Sequence, residues 1–127
     1  MKETLNPNEW TVMNALWEKS PLTLSEAIKQ IGLRADWGYK TYQSYMNVLE
    51  KKGFVSAEKR GRDKFYAPRV SREECVERES ASLLSKLGGE SVKLLIAGMV
   101  RESGLSDEDY EELRAMLDAR LGEEQKP

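Results

Sequence analysis

The order of start and stop signals in the first seventy or so residues constrains the fold more than any other feature. Asn6 is a good helix N-cap, Pro7 suits the first helical position, and Glu9 sits where a capping box places its acid. A helix over about 7–19 follows, with Trp10, Met13, Leu16 and Trp17 as its inward stripe. Thr23 and Glu26 repeat the box, Leu24, Ala27, Ile28 and Ile31 face inward, and Gly32 stops that second helix. In "YKTYQSYMNVLEKKG", Tyr42, Tyr45, Met46 and Leu49 mark a third helix over about 39–52, ended by Gly53. A hairpin signal comes next. Phe54-Val55 and Phe65-Tyr66 begin strands on either side of a turn over 59–63, in which Gly61 supplies positive φ, and Pro68 ends the second strand.

Three helices and a hairpin, with a compact helix pair before the third, spell the winged variant of helix-turn-helix. Residues 71–127 read as helical throughout. Ser71 and Glu74 cap a helix to about Leu87 that carries Val76, Leu83, Leu84 and Leu87, and Gly88-Gly89 break it. Val92, Leu95, Ile96, Met99 and Val100 mark the next helix, to about Glu102. Ser106 and Asp109 cap a last one bearing Tyr110, Leu113, Leu117 and Leu121, and the tail after Gly122 reads as disordered. The fold class is therefore mainly α with a small β-hairpin wing. Residues 1–70 form a winged helix-turn-helix domain and 71–127 a three-helix dimerisation domain with a short disordered tail. A helical unit of that size is marginal alone. A second copy of the chain would bury Leu84, Leu87, Val92, Leu95, Ile96, Met99, Leu113 and Leu117; the alternative is that these helices pack back on the first domain.

The net charge of −2 hides a split between the halves. Residues 1–70 hold 12 Lys+Arg against 8 Asp+Glu, whereas 71–127 hold 8 against 14. A basic first half points to a polyanionic partner. The chain has no histidine, which removes the commonest general base and metal ligand together. Acid pairs such as Glu73-Glu74 and Glu111-Glu112 look like solvated helix faces, so no enzyme, metal or cofactor is expected. Cys75 stands alone, which fits a reducing compartment, and no apolar run reaches the ~20 residues a bilayer demands. With no hydrophobic signal segment in 1–10, a cytoplasmic location is expected.

The outward face of the third helix carries Lys40, Gln43, Ser44, Asn47 and Lys51, with Thr41 at its edge and no carboxylate before Glu50. A carboxylate there would face DNA phosphates, whereas these groups donate to phosphate or read base edges. Gln43 and Asn47 have amides able to pair with adenine, Lys40 could reach guanine or phosphate, and Lys51 and Lys52 would neutralise backbone. Lys59, Arg60, Arg62 and Lys64 crowd the hairpin tip, diluted by Glu58 and Asp63. A basic tip beside a donor-rich third helix points to double-stranded DNA.

With these residues assembled, the chain resembles the penicillinase and methicillin-resistance repressors, the BlaI/MecI/CopY family. "EWTVMNALWEKSPLT", "YKTYQSYMNVLEKKGFV", "KRGRDKFYAPRVSREE" and "LLSKLGGESVKLLIAGMVRESGLSDEDYEELRAMLD" are similar to its first helix, recognition helix, wing with linker, and dimerisation helices. The resemblance implies a homodimeric repressor on an inverted-repeat operator. It places Lys40, Thr41, Gln43 and Ser44 on the groove-reading segment and Arg60, Arg62 and Lys64 on the wing. The start of helix two, Thr23 to Ser25, matches a region that meets phosphate through its amides. It also implies a sensor or protease pathway for induction. Family members often have a basic residue where this chain has Gln43, and commonly another at Val48. The Asn-Phe cleavage dipeptide of the β-lactam-responsive members is absent from "LLIAGMVRE", which has Ala97-Gly98. The Cys-x-Cys pairs of copper-responsive members are absent from "LGEEQKP". Two other readings compete: a winged-helix protein interaction module without sequence-specific DNA binding, and a carboxylate-dependent nuclease, whose acids would have to cluster near the basic face.

Overall fold

A computed structural model describes residues 3–125. The element order is α1 (Pro7–Glu18), β1 (Leu22–Thr23), α2 (Leu24–Ile31), a 3-10 turn (Gly32–Arg34), α3 (Tyr39–Lys51), β2 (Val55–Arg60), β3 (Asp63–Pro68), α4 (Arg72–Glu102) and α5 (Asp107–Gln125). Two compact units divide at Leu83/Leu84, so the first turns of α4 belong with the winged unit.

Local chemistry explains the helix starts. The Asn6 side chain accepts from the Glu9 amide at 2.8 Å while Glu9 Oε1 accepts from the Asn6 amide at 2.9 Å. Thr23 and Glu26 make the same reciprocal pair at 3.2 and 2.9 Å. Each box satisfies two amides that would otherwise lack partners at a helix start. Gly32 closes α2 with φ 57.

The sheet has three antiparallel strands in the order β1-β3-β2. Its third strand is a departure from the sequence reading, which gave Thr23 a capping role and a place facing phosphate but no strand. Leu22 and Thr23 pair with Tyr66 and Phe65, so Thr23 is both strand end and helix cap. The hairpin turn is also tighter than expected. Arg60 pairs with Asp63, leaving only Gly61 and Arg62 to turn the chain, and Gly61 sits at φ 64.

Val12, Met13, Leu16, Leu22, Ile31, Tyr42, Met46, Leu49, Phe54, Val55 and Tyr66 make the core. Trp10 and Trp17 are half-buried rather than core residues, packed edge to face with ring centroids 5.7 Å apart. Trp17 is held where it can reach outward: its indole N–H donates to the Val70 carbonyl at 2.9 Å. Ile28 and Tyr45 are likewise half-buried. Cys75 packs into the core at 3% exposed, and burial pushes its thiol pKa up, which fits an inert thiol.

The second unit is built differently. α4 is interrupted at Gly88 (φ 76, ψ 170), where the sequence places its break. α5 continues through Gly122 to Gln125, so that part of the expected tail is helical; residues 126–127 lie outside the described residues. Tyr110 ties α5 to α4 by donating to the Val100 carbonyl at 2.6 Å.

Candidate nucleic-acid interface

α3 is an amphipathic helix laid across the winged unit, with Tyr42, Met46 and Leu49 anchoring its inner side. Lys40, Thr41, Ser44 and Asn47 are exposed, and Gln43 is half-buried. β3, at the centre of the sheet, runs from the turn at Gly61-Arg62 back towards α3 and α2. A cleft of about 650 Å³ lies where these elements meet, and Thr23, Ser25, Tyr39, Gln43, Arg62 and Lys64 line it. A shallower hollow of about 440 Å³ is lined by Lys40, Thr41, Ser44, Tyr45 and Val48. The candidate residues are thus shared between two concavities bordered by α3. Arg60 and Asn47 line neither.

Charge pairing sorts the cations. Lys64 Nζ lies 3.4 Å from Glu50 Oε1 and 5.5 Å from the Tyr66 ring centre. Arg60 pairs with Glu58 at 3.2 Å and covers the Phe65 ring. Among the described residues, Lys40, Lys51, Lys59 and Arg62 enter no ion pair. Exposed pairs of this sort exchange easily for phosphate, since they are worth little in water. Lys52 departs from expectation. Its ammonium is 3.0 Å from Glu9 Oε2, and the Glu9 side chain is 1% exposed, so Lys52 joins α3 to α1 instead of awaiting a phosphate. A buried carboxylate left without a cation is costly, which gives Lys52 a structural reason to be there.

Two further carboxylates approach the site. Glu26 and Asp63 both line the cleft. Glu26 is held below the usual carboxylate pKa by the Thr23 amide and then by the Thr23 hydroxyl, so its charge completes the α2 cap.

The sequence reading missed Tyr39, Phe65 and Tyr66. Tyr39 is 60% exposed at the first turn of α3 and lines the cleft beside Gln43. Its position four residues before Gln43 was a usable signal, because i and i+4 share a helix face. The same rule joins Gln43 to Asn47, whose side chains meet at 2.9 Å. Nothing local pointed to Tyr66, whose hydroxyl comes within 3.3 Å of Gln43 Nε2 through the fold of the sheet.

The apolar candidates in the second unit lie largely in the open. Leu84, Ile96, Met99, Leu113 and Leu117 are exposed, Leu87 is at the margin at 36%, and Val92 and Leu95 are half-buried. No helix among the described residues is long and apolar enough to cross a membrane.

Comparison with known proteins matches this geometry. The methicillin resistance regulatory protein MecI of Staphylococcus aureus (strain N315) is 29% identical over 112 residues, covering 88% of this chain and 91% of that protein. The penicillinase repressor of Bacillus licheniformis is 28% identical over 110 residues, covering 87% of this chain and 86% of that protein. Among solved structures, the DNA-binding domain of the repressor BlaI superposes with a TM-score of 0.51 at 30% identity, covering 58% of this chain and 93% of that one. The monomeric form of Bacillus licheniformis BlaI in complex with the blaP half-operator superposes at 0.50 and 28% identity, covering 58% and 90%. The penicillinase repressor family model spans residues 5–119, and the chain belongs to that family.

Proposed function

We propose that the protein is a DNA-binding transcriptional repressor that works as a homodimer on an inverted-repeat operator in the cytoplasm. One observation carries the proposal: Gln43 of α3, Thr23 and Ser25 at the N-terminus of α2, and Arg62 and Lys64 of the cationic wing line one cleft, while Lys40, Thr41 and Ser44 of α3 line a second hollow. α3 enters the major groove, where Lys40, Thr41, Gln43, Ser44 and Asn47 meet base edges and flanking phosphates. The backbone amides at Thr23 to Ser25 and the side chains of Arg60, Arg62 and Lys64 hold the adjacent backbone. The solved relative whose monomeric form was captured with a half-operator supports one winged unit per half-site.

The second unit supplies the pairing. Among its described residues none is buried, and Leu84, Leu94, Ile96, Met99, Leu113, Met116, Leu117 and Leu121 are open to solvent. So large an apolar surface on a small helical unit calls for a cover, and a second copy of the same unit is the simplest. Two half-sites bound by one dimer gain affinity through effective concentration. Repression follows from occupancy of the operator.

Selection of bound duplexes from a random pool at physiological salt tests the proposal. Recovery of an inverted repeat, with affinity falling steeply as salt rises, is the expected result. Absence of binding, or binding without salt dependence, would overturn it in favour of a protein-docking module.

A further inference from the structure

The Gln43 amide is held from two sides. Its nitrogen lies 2.9 Å from Asn47 Oδ1 and 3.3 Å from the Tyr66 hydroxyl. A primary amide has two N–H bonds, so both donors are occupied within the protein and its oxygen is the group left for a ligand. Asn47 is the converse. Its oxygen accepts from Gln43, and among the described residues its own nitrogen has no partner. α3 therefore does not present two independent amides, each free to pair bidentately. It presents one acceptor at Gln43 and, a turn later, donors at Asn47.

Tyr66 is well placed to enforce this. It is 2% exposed, in the central strand, paired with Leu22 on one side and Ala57 on the other. Its ring is fixed by the core while its hydroxyl reaches the cleft, so the anchor point has little freedom to follow Gln43. The major groove offers donors only at the exocyclic amines of adenine and cytosine; guanine O6 and thymine O4 would oppose a lone acceptor.

Resting on the repressor reading above, we propose that Tyr66 is a positioning residue for operator specificity. It turns the Gln43 oxygen towards the groove, so that the base position Gln43 reads is selected for an adenine or cytosine amine, with Asn47 donating to a neighbouring acceptor.

The test is Tyr66→Phe in the full-length chain, which keeps the ring and removes the hydroxyl, analysed by random-pool selection alongside wild type, Gln43→Ala and the double variant. Gln43→Ala identifies the base position concerned. Wild type is expected to enrich adenine or cytosine there, and Tyr66→Phe to reduce that preference roughly fivefold, the worth of one net hydrogen bond. The slope of affinity against salt should stay as in wild type, and Tyr66→Phe should change nothing further in the Gln43→Ala background. A purely structural role for Tyr66 would weaken all sequences alike and would persist in that background. Enrichment of guanine or thymine at the Gln43 position, or an undiminished preference in Tyr66→Phe, would overturn the proposal. Should Tyr66→Phe fail to fold, Asn47→Ala carries the test, because freeing the other N–H must blur the Gln43 position as well as its own; an effect confined to its own position would overturn it. Failure of wild type to select any duplex would instead sink the repressor reading itself.

Discussion

Glu9 shows how much one side chain can be asked to do. Its carboxylate accepts from the Asn6 amide, completing the α1 cap, and meets the Lys52 ammonium at 3.0 Å while almost wholly buried. Lys52 is about a third exposed, so water shares the stabilisation of the pair. Lys52→Ala should lower unfolding free energy by about 1–3 kcal/mol, seen as a lower urea midpoint at unchanged slope, because a buried charge loses its partner. Glu9→Gln should cost less, since the amide oxygen still closes the cap. Acid should act through Glu18 and Glu26. Arg34 and then Gln30 hold Glu18 below the ordinary value of 4.5, and the Thr23 amide does the same for Glu26. A carboxylate whose pKa is depressed by folding stabilises fully above its unfolded value. That stabilisation is lost as pH falls through the folded one. Stability should thus decline from about pH 4.5 downward, and Glu26→Gln should flatten the decline in urea midpoints measured against pH.

At the scale of the element, the proposed function divides the labour between the wing and α3 by chemistry. Arg62 sits in the two-residue turn with no ion pair among the described residues, whereas Arg60 and Lys64 must first give up Glu58 and Glu50. Arg62→Ala should therefore weaken binding to every duplex and reduce the salt slope by about one phosphate's worth. Lys64→Ala should have a smaller effect on both. Gln43→Ala should instead change relative affinities among half-sites by about 1 kcal/mol, the worth of the one hydrogen bond its oxygen accepts, read by competition between duplexes at fixed salt. The starts of α1, α2, α4 and α5 were plain in the sequence because each cap is a contact between residues three apart. The strand β1 was not, because its partners Tyr66 and Phe65 lie more than forty residues further along the chain.

At the scale of the molecule, the winged unit has an apolar core, whereas among the described residues of the second unit none is buried. Ile96→Glu combined with Leu117→Lys should halve the sedimentation mass at micromolar concentration, leaving the near-ultraviolet signal of Trp10, Trp17 and Trp37 intact. Operator affinity should then drop by about a hundredfold or more, since each half-site must be held alone. An undivided particle after both substitutions would contradict the pairing assigned to these helices.

By itself the sequence determined the elements that depend on neighbours along the chain. Those are the two capping boxes, the glycine stops at Gly32, Gly53 and Gly88, the inward stripe of α3 and the cationic turn. Each is set by backbone geometry and periodicity over a few residues, and composition already separated a basic half from an acidic one. Only the tertiary structure decided which of the polar residues are spoken for. It took Lys52 out of the binding surface and gave it to Glu9, tethered Gln43 to Tyr66, and moved Trp10 and Trp17 to the edge of the core. The reason is physical: periodicity tells which side of a helix faces out, but hydrogen-bond and charge partners are fixed by distances between segments that only the packed chain brings together.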